Sequence, residues 1–267
     1  MPIWEIRVEI AYPRLGSEVR EVLAVTMRTP GHDAELVLGF LRGEGLITTL
    51  PDVVDGEARD RNVRGEAIDT WCVRLAQPPR EDLQRLSRGL LTSSACGLCG
   101  RPSLEGLPVP AVPREASAAS LAFAVVAALP ETLRLHQPTF FVTGGSHAAA
   151  LCDAQGRLHL AREDVGRHNA VDKLIGAALQ AGLPLPGLIL VLSGRASFEL
   201  LQKAAAAGLG VVVAVGAPSS AAVDLAHAAG ITLGGFARGH RLNVYTHADR
   251  LAVGTVGSNS GQEVGSR

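Results

Sequence analysis

The second half of the chain limits the possible folds most, because apolar segments of strand length alternate there with segments of helix length. An Ala-rich helix from Ser117 to about Leu129 precedes TFFVTGG, which reads as a strand, and SHAAALCDAQGRLHLAR, an alternating hairpin turning at Gln155 and Gly156. Helices over about 169–180, 196–207 and 219–229 then precede the strands LILVLS, VVVAVG and ITLGGF. Short apolar strands separated by helices of this length imply right-handed crossovers and a largely parallel sheet covered on both faces. The fold class is α/β.

Polar residues punctuate this pattern at one kind of place. Four strands run into Gly-bearing polar loops: Gly144, Gly145, Ser146 and His147; Ser193, Gly194 and Arg195; Gly216, Pro218, Ser219 and Ser220; and Arg238, Gly239, His240 and Arg241. Any one of them is an ordinary turn. Four at the carboxyl ends of strands fall where open α/β sheets bind ligands. Glycines let backbone N–H groups approach phosphate, and Arg195, Arg238 and Arg241 supply bidentate forks, so a nucleotide-like or otherwise phosphorylated ligand is expected there.

Residues 1 to about 112 read differently. Strand-like runs at 3–10, 19–27 and 71–75 surround a helical segment from Asp33 to Arg42 that Pro30 and Gly31 punctuate, and the polar stretch from Asp55 to Glu66 is a hairpin or loop. The segment LQRLSRGLLTSS reads as a helix entering a Gly/Ser loop that holds Cys96 and Cys99, and Pro108, Pro110 and Pro113 mark a linker. The expected organisation is an α+β unit over 1–112, an α/β unit over 113–253 and a polar Gly/Ser tail over 254–267.

Two thiols three residues apart among glycines suit sulfur chemistry, redox chemistry or half of a metal site. Arg101 nearby favours the thiolate, the form that attacks and carries sulfur. A zinc-dependent nucleotide deaminase needs a further ligand and an H-x-E or C-x-E element before its PCxxC. No such element precedes Cys96, Ala95 stands where that proline would be, and His32 and Glu35 have the wrong spacing. Cys72 and Cys152 sit in apolar runs and read as buried small hydrophobes. In EDVGRHNAVDKLIG, Asn169 is a candidate helix cap and Asp172 suits a first turn, whereas Arg167 and His168 beside Asp164 orient a ligand or belong to a buried ion-pair network.

A formal net charge of −1 and a pI near 6.7 exclude binding to nucleic acid or to a membrane surface by bulk charge. The N-terminal sequence lacks a charged region followed by an apolar one, and no long uninterrupted apolar stretch follows, so a cytoplasmic protein is expected.

The motifs TPGHDAELVLGFLRGEGLI, SSACGLCGRPSLE, FVTGGSHAAAL, EDVGRHNAVDKLIG, LSGRASFELLQKA and GFARGHRLNVYT, in this order, resemble those of the FdhD/NarQ family of formate dehydrogenase accessory sulfurtransferases. The resemblance runs from about residue 20 to 251. It departs at His32, where an acidic residue is more usual, and at Leu242, where Phe is common. It implies a cytidine-deaminase-like C-terminal domain beside a smaller α+β domain. It also implies a homodimer that moves persulfide sulfur from a cysteine desulfurase to the bis molybdopterin guanine dinucleotide cofactor of formate dehydrogenase. Cys96 would carry the persulfide, with Cys99 assisting or resolving it. Phe236, Ala237, Arg238, Gly239, His240 and Arg241 match the cofactor-binding segment, and guanine nucleotides such as GDP are expected to mimic the cofactor. Gly144, Gly145, His147, Arg167, His168, Ser193 and Arg195 complete the expected site. The alternatives are a non-catalytic chaperone that only delivers the cofactor and the zinc deaminase weighed above.

Overall fold

The computed structural model describes residues 4–61, 67–79, 112 and 121–252. The expected helix before the cysteine loop, Cys96, Cys99, the three linker prolines and the tail lie outside the described residues.

The N-terminal sheet is built from two hairpins. β1 (Trp4–Arg14) and β2 (Ser17–Arg28) pair antiparallel through a tight Leu15–Gly16 turn with φ of 48° and 81°, the left-handed conformation that two-residue hairpin loops favour. β3 (Val53–Arg61) and β4 (Ala67–Leu75) form the second hairpin, so the strand half of the polar 55–66 stretch is a hairpin arm. Parallel pairing of β1 with β4 completes the order β2-β1-β4-β3. Val8, Ile10 and Tyr12 of β1 and Val73 and Leu75 of β4 bury one face of this sheet against Val37, Leu38, Phe40 and Leu41 of α1 (Asp33–Gly43).

The second sheet has six strands in the order β11-β10-β9-β8-β6-β7, comprising β6 (His147–Cys152), β7 (Leu158–Asp164), β8 (Ile189–Leu192), β9 (Val211–Ala214), β10 (Thr232–Arg238) and β11 (Arg241–Thr246). β8, β9 and β10 pair parallel, whereas the β6–β7, β6–β8 and β10–β11 pairings are antiparallel, so β6 and β11 run against the other four strands and the sheet is mixed rather than largely parallel as expected above. The physical reason is the two short hairpins, 6–7 and 10–11, because tight turns join only antiparallel neighbours. Helices α4 (Arg167–Gln180), α5 (Phe198–Ala207) and α6 (Ser220–Ala229) bury Leu174, Leu201 and Ala226 with Leu190 and Val212 of the sheet. On the other face α2 (Phe123–Arg134) packs Val126, Leu129 and Leu133 against Ala150, Val191 and Val213. A two-stranded pair, β5 (Leu121–Ala122) with β12 (Leu251–Ala252), lies beside α2.

TFFVTGG is not a strand. Residues Pro138–Thr143 form a short helix, α3, with Pro138 in its first turn and Gly144 ending it at φ 63°. Phe141 and Val142 are 90% and 85% exposed, so the apolar run gains no burial that would favour a sheet position. Proline preset for a first turn and a left-handed glycine at the end decide the local structure.

The two sheets are joined by helix on helix. An added Cβ on Gly39 of α1 would lie 1.7 Å from the Asp172 carbonyl oxygen of α4, and one on Gly176 of α4 would lie 1.8 Å from the Glu35 carbonyl oxygen of α1. The helices therefore cross with their backbones in contact, which only glycine permits. Ion pairs flank the crossing. Lys173 Nζ, 1% exposed, lies 2.7 Å from Asp164 Oδ2 and donates to the Thr29 carbonyl, while Asp164 also accepts from the Thr29 and Gly166 amides and from Asn169. Lys203 of α5 lies 2.8 Å from Asp172 and 3.6 Å from Glu44. Asn169 is thus inside the helix, donating to the Met27 carbonyl and Asp164 rather than capping, and Asp172 lies in the second turn. Asp164 beside Gly166 satisfies the helix start instead.

Candidate functional site

The three parallel strands end on one edge, and the antiparallel β6 begins on it. The Gly144–His147 loop therefore reaches the expected edge at an amino end of a strand, not at a carboxyl end. Hydrogen bonds run across that edge from loop to loop. Ser193 N donates to the Ala148 carbonyl, Ala148 N to Ser193 Oγ, Gly216 N to the Gly194 carbonyl, and Phe236 N to the Gly216 carbonyl. An added Cβ on Gly216 would lie 2.9 Å from the Arg195 nitrogen, so these loops touch because side chains are missing. Ser219 caps α6 by accepting from the Ala222 amide, a structural role.

α3 is pinned to the sheet by one carboxylate. Glu163 of β7 accepts from the Thr139 and Phe140 amides at 2.8 Å each and from Ser146 Oγ at 2.7 Å. That clamp fixes Gly144 and Gly145 at the rim of a cavity of about 630 Å³, the size range of small-molecule sites. Gly144, Gly145, His147, Ser193, Ala237 and Arg238 line the cavity, as expected from the loops. The Ser193 hydroxyl accepts from the protein, so its proton is available to a ligand. Burial pushes the His147 imidazole below its ordinary pKa, and neighbouring Arg167 and His168 push it the same way, so the ring is neutral at pH 7.

Other expected residues lie elsewhere. Gly239 and His240, at φ 56° and 63°, form the tight turn between β10 and β11, and Arg241 pairs with Arg238 across it. Phe236 is 52% exposed at the same strand end, with a left-handed φ of 52°. These four and Arg195 are outside the cavity lining among the described residues. His168 Nε2 lies 3.0 Å from Glu199 and 3.4 Å from Ser197 Oγ, on the α4–α5 side. His32 and Glu35 are committed to each other at 3.2 Å, and Glu35 also to Arg162 at 2.6 Å. Cys72 and Cys152 are buried free thiols, and burial pushes Cys152 up to about 11, well away from reactivity.

Loop reasoning missed the α2 wall, where Pro130, Glu131, Leu133 and Arg134 line the cavity beside Gln137, Phe140 and Val215. Glu131 Oε1 accepts from the Gly239 amide at 3.3 Å and so ties α2 to the β10–β11 turn. The available signal was Glu131 and Arg134 three apart at the end of an apolar helix, which places both charges on one face.

The FdhD/NarQ family profile matches residues 5–252. The chain belongs to the FdhD/NarQ family. Relatives named Sulfur carrier protein FdhD include one from Anaeromyxobacter dehalogenans strain 2CP-1, 48% identical over 86% of this chain and 83% of that protein. A second, from Nocardia farcinica, is 46% identical over 89% of this chain and 85% of its own length. Among solved structures, a candidate formate dehydrogenase accessory protein from Desulfotalea psychrophila superposes with a TM-score of 0.64 at 24% identity, covering 92% of this chain and 90% of that one. At that identity the likeness establishes the shared mixed α/β fold. Among the described residues no helix is long and apolar enough to cross a membrane.

Proposed function

We propose that this FdhD/NarQ member is a cytoplasmic, homodimeric sulfur carrier that loads sulfur onto the bis molybdopterin guanine dinucleotide cofactor of formate dehydrogenase. The observation that carries this reading is the name Sulfur carrier protein FdhD on relatives that align with 86% or more of the chain. The Cys96-x-x-Cys99 pair in a Gly/Ser setting supplies the chemistry that name requires.

Cys96 thiolate attacks the terminal sulfur of a cysteine desulfurase persulfide. A new S–S bond forms on Cys96, and the donor's cysteine leaves as its thiolate. The carried sulfane sulfur is then handed to the cofactor, which is the acceptor substrate. Where Cys99 assists, its thiolate attacks Cys96 Sγ and a Cys96–Cys99 disulfide forms as the terminal sulfur departs as hydrosulfide, so the two electrons lost by the thiols reside on that sulfide.

The sheet-edge cavity fits the guanine nucleotide end of such an acceptor. Gly144 and Gly145 let a phosphate come close to backbone, Ser193 offers a hydroxyl donor, Arg238 offers a charge-assisted fork, and neutral His147 can accept or donate. A β6–β7 hairpin joined through antiparallel β6 to three parallel strands, with helices on both faces, is consistent with a cytidine-deaminase-like unit. The test is complementation: in a bacterial strain lacking its own family member, the wild-type chain restores formate dehydrogenase activity and the Cys96→Ser chain does not. Equal restoration by the two would replace the carrier with a cofactor-delivery chaperone.

A further inference from the structure

The cavity wall contributed by α2 carries a feature that phosphate binding does not use. Among the described residues, Glu131 is the single acidic side chain in the lining. A carboxylate facing a polyanion is repelled by it, so Glu131 must meet a part of the ligand rich in N–H donors. Arg134 stands one helical turn on, three residues away, and lines the same cavity. Beside them, the half-exposed Phe140 offers apolar surface to a flat ring.

We propose that Glu131 and Arg134 are the base-reading pair of this cavity and select guanine over adenine. The proposal rests on the reading above that the cavity receives the guanine nucleotide end of the cofactor. A carboxylate only accepts hydrogen bonds and a guanidinium only donates them. Guanine offers a matching perimeter: the N1–H and 2-amino donors meet Glu131, and the O6 and N7 acceptors meet Arg134 in the bidentate geometry that arginine makes with this base. Adenine presents an amino donor where Arg134 donates and a bare ring nitrogen where Glu131 accepts. Two like roles then face each other at both positions, and the site's charged groups are left unpaired. Side-chain pairs one turn apart on a helix are separated by about 5–6 Å at Cβ, commensurate with a purine edge. The Glu131 bond to Gly239 N uses one carboxylate oxygen and leaves the other for the base. Among the described residues Arg134 holds no ion pair or side-chain hydrogen bond, so its fork is available.

The experiment is calorimetric titration of the full chain with GDP, IDP, XDP and ADP, for the wild type, Glu131→Gln and Arg134→Met. Glutamine keeps an amide oxygen for Gly239, and thermal melts check the fold of each variant. The wild type is expected to bind GDP at least about tenfold tighter than ADP. In Glu131→Gln, GDP affinity falls about tenfold or more, the preference for GDP over IDP collapses, and XDP, which carries a 2-oxo acceptor, gains relative to GDP. In Arg134→Met the preference for GDP over ADP falls. Base preferences unchanged in both folded variants, or a wild type binding GDP and ADP equally, would overturn the assignment while leaving the cavity a nucleotide site. A wild type that binds none of the four overturns the cavity reading itself, and the base assignment with it.

Discussion

Gly39→Ala is the sharpest test of how the two sheets are held together. The added methyl carbon would sit 1.7 Å from the Asp172 carbonyl oxygen, whereas ordinary contact lies at 3.4–4 Å, so α1 and α4 must separate by about 1.7 Å or more. The obstacle is backbone, which cannot rotate aside as a side chain would. Overpacking costs typically 1–3 kcal/mol and occasionally more, and against a backbone wall this close the gross cost is about 3–5 kcal/mol. The separation also disturbs Asp172 and its 2.8 Å contact with Lys203. Alanine's better helix propensity returns about 1 kcal/mol. The net expectation is a loss of about 2–4 kcal/mol, or on the order of 5–15 °C in Tm for a chain of this size. Gly176→Ala attacks the same crossing from the other helix, 1.8 Å from the Glu35 carbonyl oxygen. One separation relieves both clashes, so the double variant should lose less than the sum of the singles by at least about 1 kcal/mol. Urea unfolding followed by far-ultraviolet circular dichroism measures all three. Single variants within about 0.5 kcal/mol of wild type, or losses that add, would refute a backbone-to-backbone crossing.

Burial pushes the Asp172 carboxyl up to about 6 against the pull of Lys203, above its unfolded value near 3.8. A folded pKa above the unfolded one means the carboxyl's contribution is full below about pH 4 and is lost as pH rises through 6. Unfolding free energies of wild type minus Asp172→Asn should therefore fall between pH 4 and 6.5, by at most about 3 kcal/mol; a difference that rises over this window contradicts the assignment. Arg238→Ala should weaken GDP binding by about tenfold to a hundredfold, the worth of one charge-assisted fork, and unchanged affinity in calorimetry would place the phosphate elsewhere.

Much of this architecture is legible in the chain. Period-two and helical patterns locate the strands and helices of the second sheet because each buries a continuous apolar face, as in Leu190 and Val212 beneath Leu201. The edge loops are legible because glycine marks their close approaches, as at Gly216, where an added Cβ would meet the Arg195 backbone at 2.9 Å. Local rules failed where they compete. The run around Phe140 has strand composition, but Pro138 and Gly144 set a helix that burial does not oppose. Asn169 looks like a cap by type and position, yet long-range partners at Met27 and Asp164 claim its side chain. His168, Asn169 and Asp172 share one motif, but His168 meets Glu199 of α5 while Asn169 and Asp172 serve the buried crossing, a division that depends on long-range packing, as the Asn169 bond to the Met27 carbonyl of β2 at a separation of 142 illustrates. Glu131 and Arg134 escaped notice because helical residues at a strand edge carry no loop signature.

The central claim is that Cys96 accepts and carries sulfur. Incubation of the full chain with a cysteine desulfurase and free cysteine, followed by intact-protein and peptide mass spectrometry without reductant, tests it directly. The account predicts the added mass of one sulfur atom, mapped to Cys96, removed by a reducing thiol, absent from Cys96→Ser and still formed in Cys99→Ser. An unmodified Cys96 in a chain that still binds GDP, or sulfur added equally to Cys96→Ser, would contradict it.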